Sequence, residues 1–140
     1  MTDQPRWVVD TNLLISRLLT PRGVAAQAVD HALSQGVLLM SDATLAELVQ
    51  VLWRSKFDRY LTQGDRRQFL ALLAGVTRNV HITRPFDVCR DARDNKFLDV
   101  AFNGHASALV TGDQDLLVLG RFQGVPIVTA ADFLVSSHAT

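Results

Sequence analysis

A three-layer α/β/α sandwich around a central parallel sheet is the fold class this sequence predicts, and three observations predict it. Short apolar runs recur at residues 7–9, 37–40, 108–110 and 125–128, each too continuously hydrophobic for a strand with one wet face. Between them lie segments whose apolar residues fall at helical spacing. Strands that alternate with helices in this way pack as a parallel sheet covered on both sides. No repeat, low-complexity stretch or linker interrupts the pattern, so residues 1–140 read as a single domain.

The first strand ends in RWVVDTN, where the apolar residues Trp7, Val8 and Val9 give way to Asp10, Thr11 and Asn12. Ligands of open α/β sheets collect outside the carboxyl ends of the strands, so Asp10 is placed to face a crevice. Leu13, Leu14, Leu18 and Leu19 continue as a helix until Pro21. Residues 24–34 form the next helix, stopped by Gly36, and residues 37–40 the second strand. Ser41 or Asp42 caps a helix over residues 43–53 with Leu45, Leu48, Val49 and Leu52 as its apolar stripe. Glu47 sits about 100° from Leu48 and about 200° from Leu45 and Val49, so it looks away from that stripe toward solvent or a polar partner.

Two helical pieces broken at residues 62–65 come next, the second with Phe69, Leu70, Leu72 and Leu73 inward and Gly75 as its stop. Residues 80–83 are too short a run to define a strand. Phe97, Leu98, Ala101 and Phe102 mark a helix over 95–105 with Asp94 as N-cap. The third buried strand, 108–110, ends at Thr111-Gly112-Asp113; a short helix, the strand 125–128 and a helix over 130–135 complete the chain.

Bulk properties exclude several classes. A composition 48% hydrophobic and 20% charged is that of a folded domain rather than a disordered tail. Fourteen basic residues balance fourteen acidic ones, so any nucleic-acid footprint must be local. With Cys89 as the one cysteine there is no internal disulfide, in keeping with a reducing compartment. No apolar run reaches the length of a membrane span and the first residues lack a leader's apolar region, so the expected location is cytoplasmic.

Four carboxylates stand out by placement: Asp10 and Asp113 at strand ends, Glu47 on the helix after the second strand, and Asp99 on the helix before the third. Two unit charges about 4 Å apart repel by roughly 4 kcal/mol at an effective dielectric near 20, so such a cluster requires protons or a divalent cation. Oxygen ligands without histidine or cysteine select Mg2+ or Mn2+ over zinc. A cation so held can activate water against a phosphodiester, the chemistry of a hydrolytic nuclease. Asp94 and Asp99 lie about 140° apart on a helix, so both cannot face one ion; Asp99 is taken as the ligand and Asp94 as the cap or a supporting residue.

In order along the chain, VVDTNLLIS, AELVQVL, RDNKFLDVAF and LVTGDQDLL resemble the signatures of PIN-domain proteins, especially the VapC-like toxin branch of bacterial toxin–antitoxin pairs, and the ending VPIVTAADFL is similar to that branch as well. The resemblance implies a PIN-like α/β/α sandwich and Mg2+- or Mn2+-dependent endoribonuclease action on single-stranded RNA. It also implies a homodimer and a cognate antitoxin as partner. It assigns metal binding and catalysis to Asp10, Glu47, Asp99 and Asp113, with Thr11, Asn12, Thr111 and Asp115 in support. Ala92 departs from the branch, which often carries a proline there. For RNA phosphates, Arg17, Arg54, Lys56 and Lys96 are the candidate contacts.

Plain readings compete with these roles. Taken singly, Asp10 can merely end a strand, Glu47 and Asp99 can be solvated helix charges, and Asp113 can be an ordinary turn residue. The four histidines show no metal-ligand spacing and no nucleophile elbow is present. Trp53, Phe57 and Tyr60 read as packing rather than a base-stacking surface. The alternative function is a non-catalytic, metal-dependent RNA- or protein-binding module. A third reading, phosphoryl transfer through an aspartyl-phosphate, is weakened by Asn12, which stands where a second acid would be needed.

Overall fold

The structure, a computed structural model, describes residues 4–138. Its strands are β1 (Arg6–Val9), β2 (Val37–Met40), β3 (Thr77–Asn79), β4 (Ala108–Val110), β5 (Arg121–Phe122) and β6 (Val125–Val128). They line up in the order β3-β2-β1-β4-β6-β5, with every pair parallel except the β5–β6 hairpin. The sheet therefore grows in one direction from β1 to β2 and in the other from β1 to β4. Its topological switch point lies between β1 and β4, where a crevice opens at the carboxyl ends of the strands.

Alternation along the strands divides the apolar side chains between two cores. Val9, Leu38, Met40 and Val110 meet α1 (Thr11–Leu19), α2 (Val24–Gln35), α3 (Asp42–Leu52), α4 (Gln63–Val76) and α7 (Ala130–His138). Val8, Leu39, Leu109 and Ile127 meet α5 (Asn95–Asn103) and α6 (Gln114–Leu117) on the other face. Leu48 on one side, Leu98 on the other and Leu109 in the sheet are fully buried, each contributing about 1.5–3 kcal/mol of apolar transfer. This is the three-layer sandwich the alternation predicts.

Local signals set the element ends. Ser41 and Thr44 form a reciprocal capping box at α3, and Thr62 with Asp65 does the same at α4. Gly36 ends α2 where a β-carbon would lie 2.1 Å from the Pro5 carbonyl oxygen, so only glycine lets the first strand's approach pass so close. The β5–β6 turn holds Gln123 and Gly124 at φ of 50° and 83°, the paired positive angles of a tight two-residue hairpin.

Several expectations are corrected. A strand that no apolar run announced, Thr77–Asn79, follows α4, and α4 runs past Gly75 to Val76 before passing straight into it. As an edge strand paired with β2 alone, Thr-Arg-Asn has no need of an apolar run. The segment before Thr62 holds only a 3-10 turn, Ser55–Phe57. Leu45 and Val49 lie 43% and 40% exposed, while Val51 is buried, so the inward face of α3 is rotated toward Leu48, Val51 and Leu52. Trp53 and Tyr60 are exposed rather than packed. No helix among the described residues is long and apolar enough to cross a membrane.

Candidate metal centre

At the switch point, Asp10 leaves β1 and becomes the N-cap of α1. Its Oδ1 accepts from the Leu13 amide at 2.9 Å. Its Oδ2 accepts from the Thr111 hydroxyl and from the Gly112 amide, the two residues that follow the neighbouring strand β4. Asp10 is only 5% exposed, and burial pushes its carboxyl above the usual range, although the donors from Thr111, Leu13 and Gly112 pull the other way.

Thr111, fully buried, ties the two strand ends together. While its hydroxyl donates to Asp10, its oxygen accepts from the Asp113 amide at 3.0 Å. Asp113 in turn caps α6, accepting from the Asp115 amide at 2.9 Å. Two aspartates are thus fixed at adjacent strand ends by backbone donors, leaving them little freedom to move apart.

Asp94 arrives from the other side of the cleft. A 3-10 turn, Ala92–Asp94, leads into α5, and Asp94 occupies the N-cap position with φ −83° and ψ −17°. That right-handed conformation leaves its side chain making no capping bond, in contrast to the expectation of a cap. Its Oδ2 is buried without a hydrogen-bond partner. Desolvation, with the like charge of Asp113 next in weight, pushes the Asp94 carboxyl up to about 6.

Glu47 is half-buried on α3, pointing at polar partners as its wheel position allows. The Thr11 hydroxyl donates to Oε2 at 2.5 Å and the Lys96 ammonium to Oε1 at 2.9 Å. The Lys96 ammonium already supplies one positive charge at this wall of the cleft.

Asp10, Thr11, Asn12, Glu47, Asp94 and Asp113 all line one open cleft of about 190 Å³, which Arg54, Asp91 and Arg93 also border. Asp99 does not line it: its Oδ1 accepts from the Phe86 amide at 2.7 Å, holding the loop before α5 against the helix. The sequence-based choice between the two acids is therefore reversed in the structure, which puts Asp94 with Asp10 and Asp113. Among the cationic candidates, Arg54 borders the cleft, Lys96 pairs with Glu47, Arg17 pairs with Asp30 at 2.9 Å and Lys56 lies over the Phe57 ring. Arg93 is one of the basic residues that could form a local footprint, whereas nothing in the spacing of the charge run RDARD marks Asp91.

The donor set suits a hard divalent cation. No histidine or cysteine is among the described residues lining the cleft, and the partnerless Asp94 Oδ2 is the kind of buried oxygen that a cation or proton must satisfy. Thiol chemistry is disfavoured nearby, since burial and the surrounding acids push the half-buried Cys89 up to about 11.

Comparison with known proteins gives the family and the fold. A family model described as the PIN domain matches residues 6–115. An uncharacterized protein of Methanocaldococcus jannaschii is 34% identical over 116 residues, covering 80% of this chain and 73% of that protein. Among solved structures, a Pyrobaculum aerophilum protein is similar with TM-score 0.63 and 17% identity, over 97% of this chain and 91% of its own. VapBC2 of Rickettsia felis, bound to a DNA fragment from its promoter, has TM-score 0.62 and 11% identity, over 89% of this chain and 98% of its own. VapC20 of Mycobacterium tuberculosis, a sarcin-ricin loop cleaving toxin, has TM-score 0.55 and 17% identity, over 86% of this chain and 98% of its own. The fold is shared with all three, and on the family match the chain belongs to the PIN-domain family.

Proposed function

We propose that the chain is a Mg2+- or Mn2+-dependent endoribonuclease that cleaves single-stranded RNA in the cytoplasm. We further propose that it is the toxin of a toxin–antitoxin pair, held in check by a cognate antitoxin and working as a homodimer. The observation that carries the nuclease reading is the buried, partnerless Asp94 Oδ2 in a cleft shared with Asp10 and Asp113. The fold likeness to VapBC2 and VapC20 supports the toxin reading.

Asp10, Asp94 and Asp113 would hold the cation, with Glu47 behind them. When bound, it would supply water activation and neutralise charge building on the phosphodiester. The protein's part is positional. Thr111 and the Leu13 and Gly112 amides fix Asp10, so that carboxylate would meet a cation without reorganising. Glu47 orients Lys96 and Thr11, and Lys96 with Arg54 and Arg93 is placed to take phosphate oxygens.

The test is incubation of the purified protein with structureless RNA, with and without Mn2+ or Mg2+, beside Asp10→Asn. Cleavage that needs the metal and disappears in the variant is expected. Tight RNA binding with no cleavage under any metal condition would replace the enzyme by a binding module.

A further inference from the structure

Residues 80–91, between β3 and the turn that leads into α5, form no helix or strand. They are nonetheless tied down, by polar side chains one turn apart on α5: Asn103, Asp99 and Asn95. The Asn103 Oδ1 accepts from the Thr83 amide at 3.1 Å and from the Thr83 hydroxyl and Arg84 amide at 3.0 Å, while its Nδ2 donates to the Arg84 carbonyl at 2.8 Å. Asp99 accepts from the Phe86 amide. The Asn95 Oδ1 accepts from the Val88 and Cys89 amides at 3.0 and 2.9 Å. The loop thus runs antiparallel to the helix, and helix side chains satisfy the amides that a neighbouring strand would otherwise take.

The two ends of this ladder differ. At the far end Phe86 packs edge-on against Phe102 and Phe122 at 5.0 and 4.8 Å, and Arg84 lies over the Phe86 and Phe102 rings, so the Asn103 bonds are one anchor among several. At the near end Val88 is 48% exposed, and the Arg90–Asp115 contact is a surface ion pair that holds weakly. Asn95, itself buried, closes the turn of residues 90–94, which reverses the chain into α5 and carries Asp94. Asp94 makes no capping bond, so its side chain does nothing to fix that turn. Asp91 braces the turn internally, accepting from the Arg93 amide at 2.9 Å through its side chain and from the Asp94 amide at 3.0 Å through its carbonyl. Such a brace sets the shape of the turn but not its seat on the body of the protein.

We propose that Asn95 is a positioning residue for the metal centre: by holding the Val88 and Cys89 amides it seats the 90–94 turn so that the Asp94 carboxylate is delivered into the cleft beside Asp10 and Asp113. The inference rests on the nuclease reading of that centre and adds to it a residue that lines no part of the cleft. Asn103 and Asp99 are braces of the same kind with no ligand to deliver.

Mn2+ titration of the full chain, followed by the electron paramagnetic resonance of the free ion, tests this without reference to turnover. Asn103→Ala removes more hydrogen bonds than Asn95→Ala, so a general loosening of the loop would show at least as strongly in it. Asn95→Ala should weaken Mn2+ binding by about tenfold or more, the usual cost of losing a residue that orients a metal ligand, and Asn103→Ala should stay within about twofold. Circular dichroism checks folding. If Asn95→Ala does not fold, Asn95→Ser, whose shorter side chain cannot span both amides, decides in its place; if Asn103→Ala does not fold, Asp99→Ala is the control. Equal weakening in the two variants makes the ladder a plain structural brace and overturns the proposal, as does parent-like Mn2+ binding by Asn95→Ala; both leave the nuclease reading standing. No bound Mn2+ in the unmodified protein overturns both.

Discussion

Asp94 and Asp99 sit at the start and in the middle of one helix, and their surroundings are opposite. Asp94 is buried with an oxygen that nothing satisfies; Asp99 is half-buried with its oxygen closed by the Phe86 amide at 2.7 Å. Burial pushes both carboxyls up, but only at Asp94 do other acids add to the shift, which reaches about 6. One is held in a costly state that a cation would relieve, and the other is a finished structural contact. The difference teaches that what an acid lacks, not its position on a helical wheel, separates an unsatisfied carboxylate from a finished structural contact.

The largest test of that contrast is catalytic. Asp94→Asn should lower metal-dependent RNA cleavage by about 100-fold or more, as loss of a charge-stabilising group typically does, whereas Asp99→Asn should stay within about threefold. Equal losses in single-turnover assays would erase the distinction.

A second test removes the support of Asp10. Thr111→Val leaves a buried carboxylate oxygen short of its hydroxyl donor and should cost about 1–3 kcal/mol in urea unfolding at pH 7. A variant as stable as the parent would show that the two strand ends are held by the backbone alone.

The third concerns protons. Asp94 keeps its proton up to about pH 6 in the folded chain but loses it near 4 when unfolded. Its contribution is therefore fully present below about pH 4, is lost as pH rises through about 6, and changes no further above that. Asp91, held at about 2 by Arg93, works the other way, its contribution being lost only as pH falls toward 2. In the metal-free protein Asp94→Asn should thus raise stability by about 1 kcal/mol at pH 7–8 and leave it nearly unchanged near pH 4. In the parent, Mn2+ affinity should climb through about pH 6 and then level off, as the competing proton leaves. Calorimetric titration across that range checks it.

The smallest effect is at the contrast's quiet end. Asp99→Ala should cost about 1 kcal/mol through the lost Phe86 contact, and Asp99→Asn less, because the amide oxygen can still accept.

The sequence made the sandwich and three of the five acids that line the cleft readable because each was written in local chemistry. Asp10 and Asp113 stand where apolar strands stop, and Glu47 stands off its helix's apolar stripe. The choice of Asp99 over Asp94 failed because a wheel treats residues 94 and 99 as parts of one regular helix. In the structure Asp94 belongs to a 3-10 turn whose direction depends on Asp91 and on the loop before it. Thr77–Asn79 escaped because an edge strand has no apolar signature, and Leu45 and Val49 were expected inside because spacing shows a stripe but not which neighbours cover it. The Arg90–Asp115 pair joins segments that only folding brings together, which no spacing expresses.

The two margins of the sheet carry a consequence for how copies of this chain can meet. One margin is the three polar-leaning residues of β3, the other the two-residue β5, turned back antiparallel on β6. Borders this brief give a foreign backbone almost no hydrogen-bonding template to extend, which guards a crowded solution of the protein against fibrous growth. Any contact between copies would thereby fall on the helical flanks, where Leu45, Val49 and Leu72 reach solvent, and away from the strands.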